Sequence, residues 1–163
     1  MLAGIFSDTH DNLAQIARAI EVFRQRQVAV VLHAGDIVSP FAARAIAEIK
    51  VPLHIILGNN EGEMDGLRKV LPQLTHGPVE INLQKCLVAM AHDFPQIPQE
   101  WRERVDVLVA GHTHQAFVEV REGKLWVNPG ETCGWVTGRS TVAVLDTETR
   151  TAEIIELPMS KGI

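Results

Sequence analysis

The stretch VAGHTHQ, residues 109–115, closes an apolar run with a glycine and two histidines that flank a threonine. Spacing of this kind suits a metal ion and suits a polar strand end equally well, so His112 and His114 decide nothing alone. Four further apolar runs stop at residues of the same kind. LAGIF stops at Ser7-Asp8-Thr9-His10, VAVVLHA at Gly35-Asp36, PLHIIL at Gly58-Asn59-Asn60-Glu61 and CLVAMA at His92-Asp93. Each is a common turn or strand end. Taken together they offer Asp8, His10, Asp36, Asn59, His92, His112 and His114, all oxygen or imidazole donors with no thiolate among them. Such donors suit Mn, Fe, Zn, Ni or Mg better than soft copper or an iron–sulfur cluster. They are too many for one ion that must keep a position open, but they fit two ions sharing a carboxylate. The chemistry expected is activation of a water between two divalent cations.

These donors act together only if their strand ends meet. In the first third, LAGIFS, VAVVLHAG and PLHIILG are separated by NLAQIARAIEVFRQRQ and PFAARAIAEI, whose apolar residues return at helical spacing. That alternation predicts βαβ units around a mostly parallel sheet, in which the carboxyl ends of the strands share one edge. Asp11 or Asn12 can cap the first helix, and Ser39-Pro40 can open the second. The later segments VEINLQ, CLVAMAH, VDVLVAG, AFVEVREGKLWVNPG, STVAVLD and AEIIELP read as strands with short turns, with REGK as a hairpin turn. Between them only PQEWRER reads as helical. The expectation is an α/β domain over residues 1–163, its second half a β-rich meander and its two sheets packed together.

Composition narrows the partners. With 46% hydrophobic and 21% charged residues, the chain is expected to be a folded globular domain. A net charge of −5 and the lack of a Lys/Arg cluster argue against nucleic acid as the main partner. The opening MLAGIFSDTH has no basic region and only a short apolar run, so a cytoplasmic protein is expected. Cys86 and Cys133 lie far apart and outside any C-x-x-C pair, so they are read as small buried residues. His33 and His54 are read as packed or hydrogen-bonded, His76 as a turn residue, and Trp101, Trp126 and Trp135 as core or rim packing.

The blocks Asp8-x-His10, Gly35-Asp36, Gly58-Asn59, His92 and Gly111-His112-x-His114 are similar in kind and order to those of the calcineurin-like metallophosphoesterase superfamily. Within it, the chain resembles the small single-domain phosphodiesterases of bacteria and archaea, which also carry a block like VNPGETCG. The resemblance implies a four-layer αββα sandwich of two mixed β-sheets flanked by helices. It places one metal on Asp8, His10, Asp36 and His114 and the other on Asp36, Asn59, His92 and His112, with Asp36 bridging. Manganese is the expected ion, with Fe, Ni, Zn or Mg compatible. The implied reaction is in-line attack of a metal-bridging hydroxide on a small phosphate ester. Two divalent ions, the carboxylates of Asp8 and Asp36 and one hydroxide leave about +1 for an anionic phosphate.

Three positions depart from the family pattern. Larger members carry a histidine where this chain has Asn60, so this catalytic position has no usable proton at neutral pH; Asn59 and Asn60 are expected at the substrate. Asp93 follows His92 where glycine is usual and is read as a helix cap. Glu131 stands where serine is commoner. The alternative reading is a non-catalytic protein-interaction scaffold, since the same fold is used by a subunit of the eukaryotic retromer coat. Such a scaffold need not keep the donor set, which is complete here. Exposed sheet edges would allow a homodimer.

Overall fold

The computed structural model describes residues 1–159. The chain opens with β1 (Leu2–Phe6), α1 (Leu13–Gln25), β2 (Val30–His33), α2 (Pro40–Ile46) and β3 (Leu53–Ile55), the βαβ succession that the apolar periods predict. Asn12 is the residue that caps α1, its side chain accepting the Gln15 N–H. Ser39 caps α2 through the N–H of Phe41, with Pro40 in the first turn. A third helix, α3 (Met64–Val70), carries no clear sequence signal, because two turns with Gly66 inside them are too short for a period to stand out.

The second half runs β4 (Val79–Leu83), β5 (Cys86–Met90), a 3-10 turn at Phe94–Gln96, α4 (Gln99–Arg104), β6 (Val107–Val109), β7 (Phe117–Arg121), β8 (Lys124–Asn128), β9 (Ser140–Asp146) and β10 (Thr151–Leu157). The expected hairpin turn joins β7 to β8, with Glu122 and Gly123 both at positive φ as a type I′ turn requires. Asp93 stands at the cap of the 3-10 turn, where its N–H donates to Gln96 Oε1.

The two sheets have the orders β10-β9-β1-β2-β3 and β4-β5-β6-β8-β7. The second half is therefore not a meander. β5, β6 and β8 run parallel, with β4 and β7 antiparallel at the edges, while β9 and β10 return to the first sheet beside β1. A parallel step from β5 to β6 needs a crossover, and the 3-10 turn with α4 supplies it.

Three apolar clusters divide the fold into layers. One lies between the sheets and holds Ile5, Leu32, Val88, Met90, Val109, Val127 and Ala143. A second joins α1, α2 and α3 to the outer face of the first sheet through Phe6, Ile16, Phe23, Ile46 and Leu67. The third is smaller and sets Trp101 of α4 and Trp126 against Ala89 and Leu108. The result is the four-layer αββα sandwich with mixed sheets. Among the described residues no helix is long and apolar enough to cross a membrane.

Phe6 seals the layer just beneath the strand ends. It is fully buried, and its ring meets Phe23 edge-on at 5.5 Å and the imidazole of His33 at 4.5 Å. Burial drives the His33 pKa down to about 3. Its Nδ1 accepts the Gly35 N–H, so Nε2 carries the proton toward Thr9 Oγ1. Phe6→Ala would open a cavity that these rigid neighbours cannot close. The expected loss of folding free energy is about 3–5 kcal/mol, read as a lower urea midpoint with an unchanged slope.

Candidate metal centre

All the donors foreseen from the strand ends gather where the parallel strands of both sheets finish. β1, β2 and β3 deliver Asp8, His10, Asp36 and Asn59, while β5 and β6 deliver His92, His112 and His114. Tight backbone bonds join these ends: Asp8 N–H donates to Gly35 O, His10 N–H to Asp36 O, and Gly111 N–H to His92 O. Asp8, His10, Asp36, His112 and His114 all have positive φ, between 36° and 64°. Non-glycine residues rarely adopt that region, and such strain concentrates where side chains must be aimed for function.

Two glycines explain how the ends come so close. A Cβ on Gly58 would lie 2.1 Å from Asp36 Oδ1, and one on Gly111 would lie 1.9 Å from Ser7 Oγ. The glycines of the Gly-Asn and Gly-His blocks are thus forced by contact with neighbouring carboxylate supports.

The side chains fall into two sets. In one, His114 Nε2 lies 3.6 Å and His10 Nε2 3.9 Å from Asp8 Oδ1, and His10 Nε2 is 3.4 Å from Asp36 Oδ2. In the other, Asn59 Oδ1 stands 2.9 Å from His92 Nε2 and 3.0 Å from His112 Nδ1, and His92 Nε2 is 3.5 Å from Asp36 Oδ1. The rings pair accordingly, His10 with His114 at 5.3 Å and His92 with His112 at 5.1 Å. The two oxygens of Asp36 therefore face different sets.

Electrostatics fit cations at these positions. Asp8 and Asp36 are buried, and so is His92. Burial pushes the Asp8 carboxyl above its ordinary value, only partly opposed by the Ser7 hydroxyl at 2.6 Å. Burial would raise Asp36 too, but His92 and Asn60 outweigh it and hold the carboxyl well below the usual range. Asp8 Oδ1 and His10 Nε2 are buried and face one another without a hydrogen-bond partner among the described residues, a costly arrangement for two polar atoms unless a cation joins them. His92 makes the same point. Its Nδ1 faces the Ala34 carbonyl and its Nε2 faces the amide oxygen of Asn59, so it must hold two protons or one proton and a cation. Desolvation by burial would lower its pKa, but its bonds to Asp36 and Ala34 overcome this and raise it to about 9.

Two glutamates that sequence reasoning did not place in the centre support it from behind. Glu61 Oε1 accepts the N–H groups of Gly58, Asp36 and Ile37, tying the ends of β2 and β3 together. Glu131 is fully buried, and its carboxylate accepts from His114 Nδ1 at 2.8 Å, from Cys133 Sγ, and from Val136 and Thr137 in the following loop. A carboxylate can only accept, so His114 is protonated at Nδ1 and leaves its Nε2 lone pair facing Asp8. The signal for Glu131 was present in the sequence, since β8 also ends in a polar block, Asn128-Pro129-Gly130-Glu131. Asn60 is turned onto the centre and donates its amide to Asp36 Oδ2 at 2.9 Å. His54 is exposed on edge strand β3 rather than packed, and His76 is exposed in its turn.

The model for the calcineurin-like phosphoesterase superfamily domain matches residues 1–150. The chain belongs to that superfamily. A phosphodiesterase of Methanocaldococcus jannaschii is 35% identical over 156 residues, covering 91% of this chain and 94% of the relative. A probable metallophosphoesterase of Methanothermobacter thermautotrophicus is 32% identical, covering 95% and 92%. Among solved structures, an archaeal phosphodiesterase superposes with a TM-score of 0.83 at 32% identity, covering 96% of this chain and all of that one. The superfamily hydrolyses phosphoric esters with divalent metals, and the chain is accordingly a metal-dependent phosphoesterase.

Glu131 gives this centre a testable signature. Burial alone would raise its carboxyl above the ordinary 4.5, but the bonds from His114, Thr137 and Cys133 hold it at about 2. A carboxyl depressed on folding contributes stability above pH 4.5 that fades as pH falls toward 2. Metal-free Glu131→Gln should lose that part of the pH dependence, measured as thermal midpoints between pH 6 and pH 2.5 beside wild type. Parallel curves for the two proteins would contradict the assignment.

Proposed function

We propose that the chain is a phosphodiesterase that uses two divalent cations, one held by Asp8, His10, Asp36 and His114 and the other by Asp36, Asn59, His92 and His112. The observation that carries this reading is the division of Asp36, with Oδ1 toward His92 and Oδ2 toward His10. Diesters are favoured over monoesters because the relatives with more than 30% identity over most of the chain include proteins described as phosphodiesterases. Manganese suits a donor set of oxygen and imidazole without thiolate.

Bound cations of this kind lower the pKa of a water and neutralise charge that develops on phosphoryl oxygens. The protein's part is to hold the donors in place. Asn59 and Asn60 give their N–H groups to Asp36 Oδ1 at 2.8 and 2.9 Å, which keeps the shared carboxylate ionised and aimed. Asn59 contributes a neutral oxygen, where an aspartate would cancel positive charge that an anionic ester needs. Both asparagines are exposed at the rim, within reach of a substrate. An amide has no proton to give at neutral pH, so the leaving group departs unassisted by Asn60. The scaffold alternative makes no use of a complete donor set.

The deciding experiment is hydrolysis of bis(p-nitrophenyl) phosphate after chelation. Activity should vanish and return with Mn²⁺. Asp36→Asn should lower kcat/KM by about 10³-fold or more and leave less than two ions per chain by elemental analysis; a variant that kept both ions would remove Asp36 as the bridge.

Asn60 makes a separate prediction. Esters with acidic aryl leaving groups should turn over at least about 10²-fold faster than esters with alkyl leaving groups. Asn60→His should narrow that gap by raising the alkyl rate, whereas a gap that is small in wild type or unmoved in the variant would refute the role given to this position.

A further inference from the structure

We propose that Trp135 and Val38 form a subsite for a planar ring on the ester group of a singly phosphorylated diester, an inference that rests on the phosphodiesterase reading above. A cavity of about 400 Å³ adjoins the centre and is lined by His10, Asp11, Val38, Asn60 and Trp135. It is continuous with the donor sets through His10 and with the shared carboxylate through Asn60, and it is far larger than a phosphoryl group alone requires.

Its wall is built for a flat apolar group. Trp101 and Trp126 pack into the third cluster, whereas Trp135 keeps 62% of its surface exposed. Its loop is nonetheless fixed: Asn12 Nδ2 donates to Cys133 O at 2.8 Å on one side, and Val136 and Thr137 are bound to Glu131 on the other. Opposite in the chain, Val38 has a φ of 88°, a genuine outlier for a β-branched residue, and its carbonyl accepts the Gly62 N–H. The chain thus holds an indole and a strained valine at the mouth of the centre, and neither position serves the donors.

Charge selects the ligand further. Among the described residues, the lining carries the carboxylate of Asp11, held by the N–H and hydroxyl of Ser39, and no lysine or arginine. A second phosphate would meet the like charge of Asp11 there. A neutral ring meets an aromatic face instead, and stacking of this kind tolerates different ring identities. The substrate class that fits is a diester of one phosphate with an aryl or heteroaryl ring on an ester arm, rather than a dialkyl diester or a polyphosphate.

Symmetric diesters test this without ambiguity about which arm enters the cavity. With Mn²⁺-supplemented protein, titration calorimetry should give diphenyl phosphate about 10-fold tighter binding than diethyl phosphate. Trp135→Ala should remove most of that preference, the loss falling on the diphenyl ligand, and Trp135→Phe should retain it. No preference in wild type, or a preference that survives in Trp135→Ala, overturns the subsite. The underlying reading fails in a different way: protein that discriminates the two ligands through Trp135 but does not hydrolyse bis(p-nitrophenyl) phosphate with any divalent metal keeps the subsite and loses the phosphodiesterase.

Discussion

The carboxylate of Asp36 is the interaction on which the rest of the structure depends. It sits at the end of β2 with almost no exposure and presents one oxygen to each donor set. Burial alone would neutralise it, and a neutral carboxylic acid would orient neither set. The chain prevents this with two backbone N–H groups on Oδ1 and the Asn60 amide on Oδ2. Those N–H groups are available only because Gly58 lets the β3 end close onto the β2 end, and Glu61 then locks both by accepting from each. A loop motif written in the sequence as Gly-Asn-Asn-Glu is therefore a device for keeping one anion charged and aimed.

The same constraint explains the division of labour between the sheets. Asp8, His10, Asp36 and Asn59 come from the first sheet and His92, His112 and His114 from the second, yet each set draws on both. The interior cluster between the sheets fixes their separation with close-packed aliphatic side chains, and such packing does not deform continuously. Positive φ at Asp8, His10, Asp36, His112 and His114 is the local strain of bending the strand ends inward over that fixed gap.

How much of this was legible in the sequence follows from where each signal resides. The strand ends that meet could be read because buried strands are apolar, so a change to Asp, His or Asn marks where each one stops. The caps Asn12 and Ser39 and the turn at Glu122-Gly123 are local and could be read for the same reason. The parallel placement of β5, β6 and β8 could not, because parallel or antiparallel pairing depends on a crossover that here is one short helix and a 3-10 turn. Glu61 and Glu131 escaped because each stands in a polar block that reads as a turn, and their roles lie in the bonds they accept, Glu61 from the ends of β2 and β3 and Glu131 from His114 and its own loop. The three tryptophans read alike in the sequence, as core or rim packing, and exposure together with a tethered loop separates Trp135 from Trp101 and Trp126.

Glu131 also changes the charge balance that the sequence suggests. Counting only Asp8 and Asp36 against two divalent ions leaves the centre positive, whereas Glu131 adds a third buried negative charge behind His114. Its effect on a bound ester is not that of a third direct ligand, because Val136, Thr137, Cys133 and His114 already surround the carboxylate with donors. Part of the charge is thus neutralised in place, and part passes through the imidazole as greater basicity at Nε2. Serine, with a single neutral oxygen, would orient His114 without that charge and would not gather the loop that carries Trp135. In this chain one side chain therefore couples the basicity of His114 Nε2 to the position of the loop that carries Trp135.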